Sequence, residues 1–586
     1  MSEEAALPNA QRFIEDYTEQ YLILYYDLSK AQWQSNTHIE KEDTLNAYNT
    51  QKASEAFAAF VGSIDVIEKT QDLLQQKELL SPLQIKQLET ILYTAANSPA
   101  VAQETVKERI SAETVQIEKL FGFDFMMGDQ AVTTNEIDHI LKNETNLKLR
   151  QQAWETSKEV GKVLKDGLEN LRQLRNETVQ ALGYNDYFSY QVSDYGMTTK
   201  EMMELNQKLI EEVWPLYREL HTYTRYFLAD KYGEDVPDLI PAHWLPNRWA
   251  QDWSELITLE AIDLDAVLQK KGSTWMIEQA ERFYISLGFD SLPRSFYEKS
   301  SLYPLPPNVP YKKNNHASAW HMNLENDVRC LMSVEPNAEW YETTHHELGH
   351  IYYFMSYTQP EVPPLLRSGA NRAFHEAVGS LMGLAAMQKP FLANLDLISA
   401  YESNATDEEE MQALLKEALN FIVFIPFSAG VMTNFEHDLY VENLPKEKFN
   451  QKWWALAKKY QGIMPPSNRG EEYCDAASKT HINDDPAQYY DYAISNVLLF
   501  QMHDHIASKI LKEDPRHTNY YGNKEVGKFL SEILAPGATK DWRQLLKESI
   551  DSDLSANAML EYFQPLMTYL KQINKGRNYT LPKNPA

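Results

Sequence analysis

The sequence predicts a mainly helical protein. Three observations carry that expectation. Long stretches of strong helix formers repeat apolar residues at the helical period of 3.6. Capping residues stand where such stretches begin. Strand character is confined to one short region. The chain has 586 residues and 43% of them are hydrophobic. It is longer than one simple core usually reaches, yet apolar enough to build a large one. It contains no internal repeat and no low-complexity linker.

Taken in order, "TLNAYNTQKASEAFAAFVGSIDVIEK" (44–69) is rich in helix formers. "SPLQIKQLETILYTAAN" (81–97) begins with Ser81 as N-cap and Pro82 at the first helical position. Residues 134–182 carry a long 3.6-period pattern with a few breaks. The Pro-rich "SLYPLPPNVPYKK" (301–313) is a loop, and "HASAWHMNLENDVRCLMSVE" (316–335) reads as a strand pair turning at "ENDV". A strand there could bind an extended peptide by backbone pairing. Helical texture returns after residue 380. Within it "FIVFIPFSAGVM" (421–432) is too short to span a bilayer and holds Pro426 and Gly430, so a buried, kinked helix is expected.

The formal charge of −29 excludes a nucleic-acid partner, because phosphates would be repelled. Cys330 and Cys474 are distant and outside any C-x-x-C pattern, so two free buried thiols are expected. "MSEEAALPNA" has no basic or apolar leader region. The expected compartment is the cytoplasm, or the periplasm or exterior if a leader has been removed. No transmembrane segment is expected.

"YETTHHELGHIYYF" (341–354) concentrates three histidines and two glutamates. On a helix, positions i and i+4 lie about 40° apart and i and i+5 about 140° apart. His346 and His350 therefore share a face, and His345 falls outside it as a packing or hydrogen-bonding residue. The pair brackets Glu347 in an H-E-x-x-H motif. Two imidazoles one turn apart can share a zinc ion, with Glu347 beside it to take a proton from an activated water. A catalytic zinc needs a third protein ligand. "SGANRAFHEAVGSLMGLAAM" (368–387) offers two adjacent candidates, His375 and Glu376, of which only one can face the ion. Glu376, Ser380 and Gly383 lie on a narrow face suited to close approach of another helix, which favours Glu376. Phe374, Val378 and Leu381 read as core.

With these residues in place, the chain resembles the angiotensin-converting-enzyme family of zinc peptidases. The segments that carry the likeness are "RWAQDWSEL", "NHASAW", "HHELGHIYYFM", "SGANRAFHEAVG", "QKWWALAKKYQGIMPP" and "DAASKTHI", in the family's order. The resemblance implies a single peptidase domain over 1–586, a helical ellipsoid with a deep central channel and few short strands. It implies N-terminal lid helices over roughly 10–120 and a catalytic half over roughly 245–586. It implies one zinc ion per chain, held by His346, His350 and Glu376. The implied activity is release of dipeptides from peptides with a free C-terminal carboxylate. Glu347 would be the catalytic base, with His481 and Tyr492 on the oxyanion. Gln251, Lys479 and Tyr489 would hold the terminal carboxylate. His316 and the backbone of Ala317 would contact the peptide. Tyr490 could replace either neighbouring tyrosine, because the family's Tyr-x-Arg-Tyr is here Tyr489-Tyr490-Asp491-Tyr492.

The chain also departs from the family pattern. Asp491, Ala457 and Ser189 stand where the resemblance leads one to expect chloride-binding arginines, and an aspartate cannot host an anion unaided. Activity independent of chloride is the expectation. Ser380 stands where the family has an aspartate that would orient a metal-bound histidine. Ser368 likewise replaces an acid, and Asn315 replaces a cysteine that would have paired with Cys330.

Overall fold

Capping chemistry sets helix ends where the sequence marks them. Ser81 and Gln84 form a capping box, each side chain receiving the other's backbone N–H, and Pro82 opens the helix Pro82–Ala96. Thr133 with Glu136, Thr198 with Glu201 and Thr406 with Glu409 repeat the device. In this computed structural model, residues 3–40, 44–259, 263–314, 316–399 and 406–585 are described; Asn315 lies outside them. The fold is mainly α, 68% helical. Among the described residues its strands are two to four residues long and form three separate pairs.

The predicted helix over 44–69 is two helices, Thr44–Val61 and Ile64–Leu74. The break falls at Gly62, where a Cβ would meet the Ser98 carbonyl oxygen at 1.8 Å, and Ser63 caps the second helix. The pattern over 134–182 resolves into Thr134–Asn143, Leu147–Lys158 and Val160–Gln180. The sequence reading missed how long the first helix is, Glu3–Thr37.

The chain folds into two units, each built from three separated stretches. The first comprises 1–103, 261–404 and 498–554; the second comprises 104–260, 405–497 and 555–586. In the first unit Ala10, Ile14 and Tyr17 of the opening helix pack on Val66 and Leu73 of Ile64–Leu74 and on Leu88 and Ile91 of Pro82–Ala96. The segment read as lid helices therefore divides, because the helix Gln103–Phe121 lies almost wholly in the second unit. The expected strand pair is present: Ser318–His321 runs antiparallel to Val328–Leu331, with Ser318 opposite Leu331. Asp327 closes its turn, accepting Arg329 through both carboxylate oxygens and the Tyr26 hydroxyl. The pair packs along the helix Ala338–Tyr357.

In the second unit the 34-residue helix Thr199–Tyr232 ends on Gly233 in the left-handed region, φ 67°. Beside it Asp407–Ile425 continues through a wide π turn, Pro426–Met432, into Thr433–Tyr440. Proline lacks the N–H of a regular helix, and the π turn absorbs that loss. The apolar run is longer than residues 421–432 suggest: Asp407–Tyr440 is long and apolar enough to cross a membrane by length and composition alone. Its most apolar stretch is 78% buried inside the protein, as in a core helix. Cys330 and Cys474 are free and buried, as expected.

Candidate functional site

Two glycines bring the metal-ligand candidates together in the first unit. The helix Ala338–Tyr357 is capped by Asn337 and carries the H-E-x-x-H motif. The helix Arg372–Ala386 is capped by Asn371 and carries Glu376. At their crossing a Cβ on Gly349 would lie 3.0 Å from the Gly379 Cα, and a Cβ on Gly379 would lie 2.9 Å from the His346 ring. A Cβ on Gly383 would meet Glu342 at 3.3 Å. Of the face expected from the sequence, Glu376, Ser380 and Gly383, Gly383 takes part in the crossing, while Gly379, which makes the closest approach, was not on it.

The result is a compact donor set. The ligand atoms of His346, His350 and Glu376 all lie within 4.8 Å of one another. His346 Nε2 and His350 Nε2 are 3.1 Å apart. Glu376 Oε2 is 3.6 Å from His346 Nε2, and Oε1 is 3.8 Å from His350 Nε2. Ligands of a tetrahedral zinc, each about 2.0–2.2 Å from the ion, sit about 3.4 Å from one another. Two imidazoles and a carboxylate at these separations fit zinc in number, chemistry and spacing.

The charges are consistent with that fit. The close approach of His346, working against burial and helped by His350, holds the Glu376 carboxyl down at about 2. Burial, with the neighbouring charge of His346, lowers His350 to about 4, so its imidazole is neutral and available as a ligand. Burial pushes Glu347 up to about 7; His346 opposes the shift and the Glu376 carboxylate adds to it.

His375, the competing ligand in the sequence, takes another place. Its Nδ1 lies 3.2 Å from His350 Nδ1, and its ring packs 4.2 Å from that of Tyr353. Were His350 Nε2 to hold a metal, His350 Nδ1 would carry the proton and donate to His375. His345 is fully buried: its Nδ1–H donates to the Tyr341 carbonyl at 2.7 Å and its ring meets Phe283 edge-on. Sequence reasoning missed Tyr284. Its hydroxyl donates to the His345 carbonyl at 2.7 Å and its ring stacks on Tyr352 at 4.2 Å, gripping the motif helix from Ser273–Leu287. His316 is exposed, with Nδ1–H donating to the Ala317 carbonyl at 2.9 Å. Ala317 precedes the strand Ser318–His321, whose outer edge pairs with no other strand among the described residues.

The remaining candidates assemble within the second unit. Lys479 Nζ donates to Gln251 Oε1 at 2.8 Å, and the Tyr489 hydroxyl approaches the same oxygen at 3.5 Å. His481 Nε2 and the Tyr492 hydroxyl are 3.3 Å apart, and the rings of Tyr489 and Tyr492 are 4.9 Å apart. Tyr490 turns the other way and is buried against Phe188 and Tyr195, which leaves Tyr489 and Tyr492 as the pair beside His481. Burial lowers Lys479 to about 7, with the Arg248 charge adding to the effect. Burial, with Lys479 nearby, lowers His481 to about 4 and keeps it neutral. Trp249, which the sequence reading left without a role, supports Lys479. Its indole faces Lys479 Nζ at 4.3 Å, the Arg248 guanidinium at 4.4 Å and Lys158 Nζ at 5.1 Å.

A family model described as angiotensin-converting enzyme, peptidase M2, matches residues 4–581. Angiotensin-converting enzyme of Oryctolagus cuniculus is 31% identical over 598 residues, covering 97% of this chain and 43% of the rabbit protein. That of Bos taurus is also 31% identical, over 97% of this chain and 43% of its own length. That of Theromyzon tessulatum is 28% identical over 96% of this chain and 92% of its own. The chain thus spans less than half of the two mammalian relatives.

The glycine crossing yields a direct test of the donor set. Gly379→Ala places a methyl group against the His346 ring and should lower zinc retention by at least tenfold. Metal content after dialysis against graded chelator measures this. Retention equal to wild type would show that the ring has room to yield.

Proposed function

Because the chain belongs to the angiotensin-converting enzyme family, we propose that it is a zinc-dependent dipeptidyl carboxypeptidase acting on peptides with a free C-terminal carboxylate. The observation that carries this reading is Lys479. It is a buried ammonium with no ion-pair partner among the described residues, set between Gln251, Tyr489 and Trp249. A buried charge without a counterion is costly, and a substrate carboxylate would supply the missing partner through a charge-assisted hydrogen bond.

In this reading His346, His350 and Glu376 hold one zinc ion per chain. Zinc, when bound, polarises a carbonyl and lowers the pKa of water to about 7. Glu347 takes a proton from the attacking water on its carboxylate and delivers it to the leaving amine. A carboxyl buried to about 7 suits both halves of that exchange. The Tyr492 hydroxyl, with neutral His481 beside it, donates to the developing oxyanion. Gln251, Lys479 and Tyr489 take the terminal carboxylate. His316 and the Ala317 backbone contact the peptide along the open strand edge. Water is consumed, one peptide bond breaks, and a dipeptide leaves with its amine protonated.

The same reading includes independence of chloride. Asp491 accepts the Tyr195 hydroxyl at 2.5 Å, Ser189 donates to Asp186 at 2.7 Å, and Ala457 is buried and apolar. None of the three offers an anion a positive charge.

Three outcomes are expected. Glu347→Ala should lower kcat by about 10²–10⁴ while zinc stays near one per chain; retained turnover would remove Glu347 from its role. One unstructured peptide, supplied as free acid and as C-terminal amide and followed by mass, should lose successive dipeptides only as the acid. Lys479→Met should cut kcat/KM for the acid by about 10- to 100-fold, and equal internal cleavage of both forms would overturn the dipeptidase reading. Chloride added at fixed ionic strength should leave the rate unchanged, and a several-fold rise would sink the chloride assignment.

A further inference from the structure

One buried carboxyl in the second unit has no part in the chemistry above. Glu436, on the helix Thr433–Tyr440, is 1% exposed, and its Oε2 accepts the backbone N–H of Ala487 at 2.6 Å. Ala487 is itself buried and has φ 60°, the left-handed region. A residue with a Cβ is strained there, and it persists only when its surroundings hold it.

The position of that strained residue gives it consequence. Ala487 lies two residues before Tyr489 and five before Tyr492. It reverses the chain between the short helix Thr480–Asp484, which carries His481, and the helix that begins at Tyr490. The near end of the turn is tied by the Asp485 N–H to the His481 carbonyl, 3.0 Å. The far end is tied by the Asp491 N–H to the Gln488 carbonyl, 2.9 Å, and by Tyr490 in the core. At the apex, the Glu436 carboxyl provides the hold from elsewhere in the chain.

We propose that Glu436 is a positioning residue for Tyr489 and Tyr492: it pins Ala487 in the left-handed conformation and thereby fixes where both phenols project. What the phenols do with substrate rests on the proposed dipeptidase reading; the pinning does not. Burial raises the Glu436 carboxyl to about 8, against the Ala487 N–H, so a neutral carboxamide is a close substitute.

The test compares Glu436→Ala, Glu436→Gln, Ala487→Gly and the double variant Glu436→Ala/Ala487→Gly. Each is assayed with a free-acid peptide well below its melting temperature, alongside amide hydrogen exchange over residues 484–492. Glu436→Ala should lose at least tenfold in kcat/KM and exchange the Ala487 amide at least tenfold faster. Glu436→Gln should stay within threefold of wild type on both measures. Ala487→Gly should restore most of the kinetic loss of Glu436→Ala, because glycine adopts positive φ without strain. A purely structural carboxyl would show no such rescue. Wild-type kinetics in Glu436→Ala, or a double variant no better than Glu436→Ala, would overturn the proposal. If Glu436→Ala does not fold, Glu436→Asp, one methylene short of the Ala487 N–H, takes its place and should lose at least fivefold; full activity would overturn the proposal. If the wild-type protein releases no dipeptide, the dipeptidase reading fails. Exchange at Ala487 still decides the pinning: faster in Glu436→Ala supports it, unchanged overturns it.

Discussion

The close approach of two helices at Gly349 and Gly379 is the constraint on which the candidate metal site depends. A donor set of about tetrahedral dimensions needs side chains from both helices to converge within a few ångströms. His346 and His350 reach one point because they are one turn apart on one helix. Glu376 reaches the same point only because its helix passes without a side chain in between. The aromatic grip of Tyr284 on the back of the motif helix, and of Tyr353 on His375, holds the two helices in that arrangement. Packing and chemistry are inseparable there: the residue with no side chain decides where the charged ones meet.

The second unit applies a different principle, the buried cation. Lys479, Lys158, Arg248 and Arg469 lie around Trp249 and Asp475, and Arg469 already claims both oxygens of Asp475. Lys158 is buried, its Nζ donating to the Arg248 carbonyl at 2.8 Å. Arg248 is likewise paired, with Asp138, whereas at Lys479 and Lys158 an indole face and neutral oxygens take the place of counterions. Such an arrangement keeps positive charge in reserve, and burial lowers the lysines accordingly. Asp491 meanwhile spends its charge on the Tyr195 hydroxyl. That contact belongs to the same local economy: each buried charge here is matched to a specific neutral or charged group, and substituting one alters the demand on the next.

Much of this was legible in the sequence. The N-cap at Ser81 with Pro82 behind it, the helical phase of His346 and His350 and the strand pair around "ENDV" are local patterns. A local pattern needs only the chain's own geometry to be read. The division of the 44–69 stretch at Gly62 was not legible, because the cause is the Ser98 carbonyl oxygen. The parallel pairing of Ile240–Pro241 with Ile463–Met464 was hidden for the same reason, since each strand exists only through a partner more than 200 residues away.

At the site the same boundary holds. The sequence alone determined which residues could hold a metal, that His345 could not share the face of His346 and His350, and that a lysine, a glutamine and two tyrosines follow the order of a known family. Tertiary structure decided the rest. It placed His375 behind His350 instead of among the ligands and buried Tyr490 so that Tyr489 and Tyr492 remained. It set Lys479 on Trp249 and Glu436 on the backbone of Ala487. The physical reason is that periodicity and motif spacing fix which side chains share a face within one element. Which partner that face meets, and how much water is removed from it, is set by elements far away in the chain.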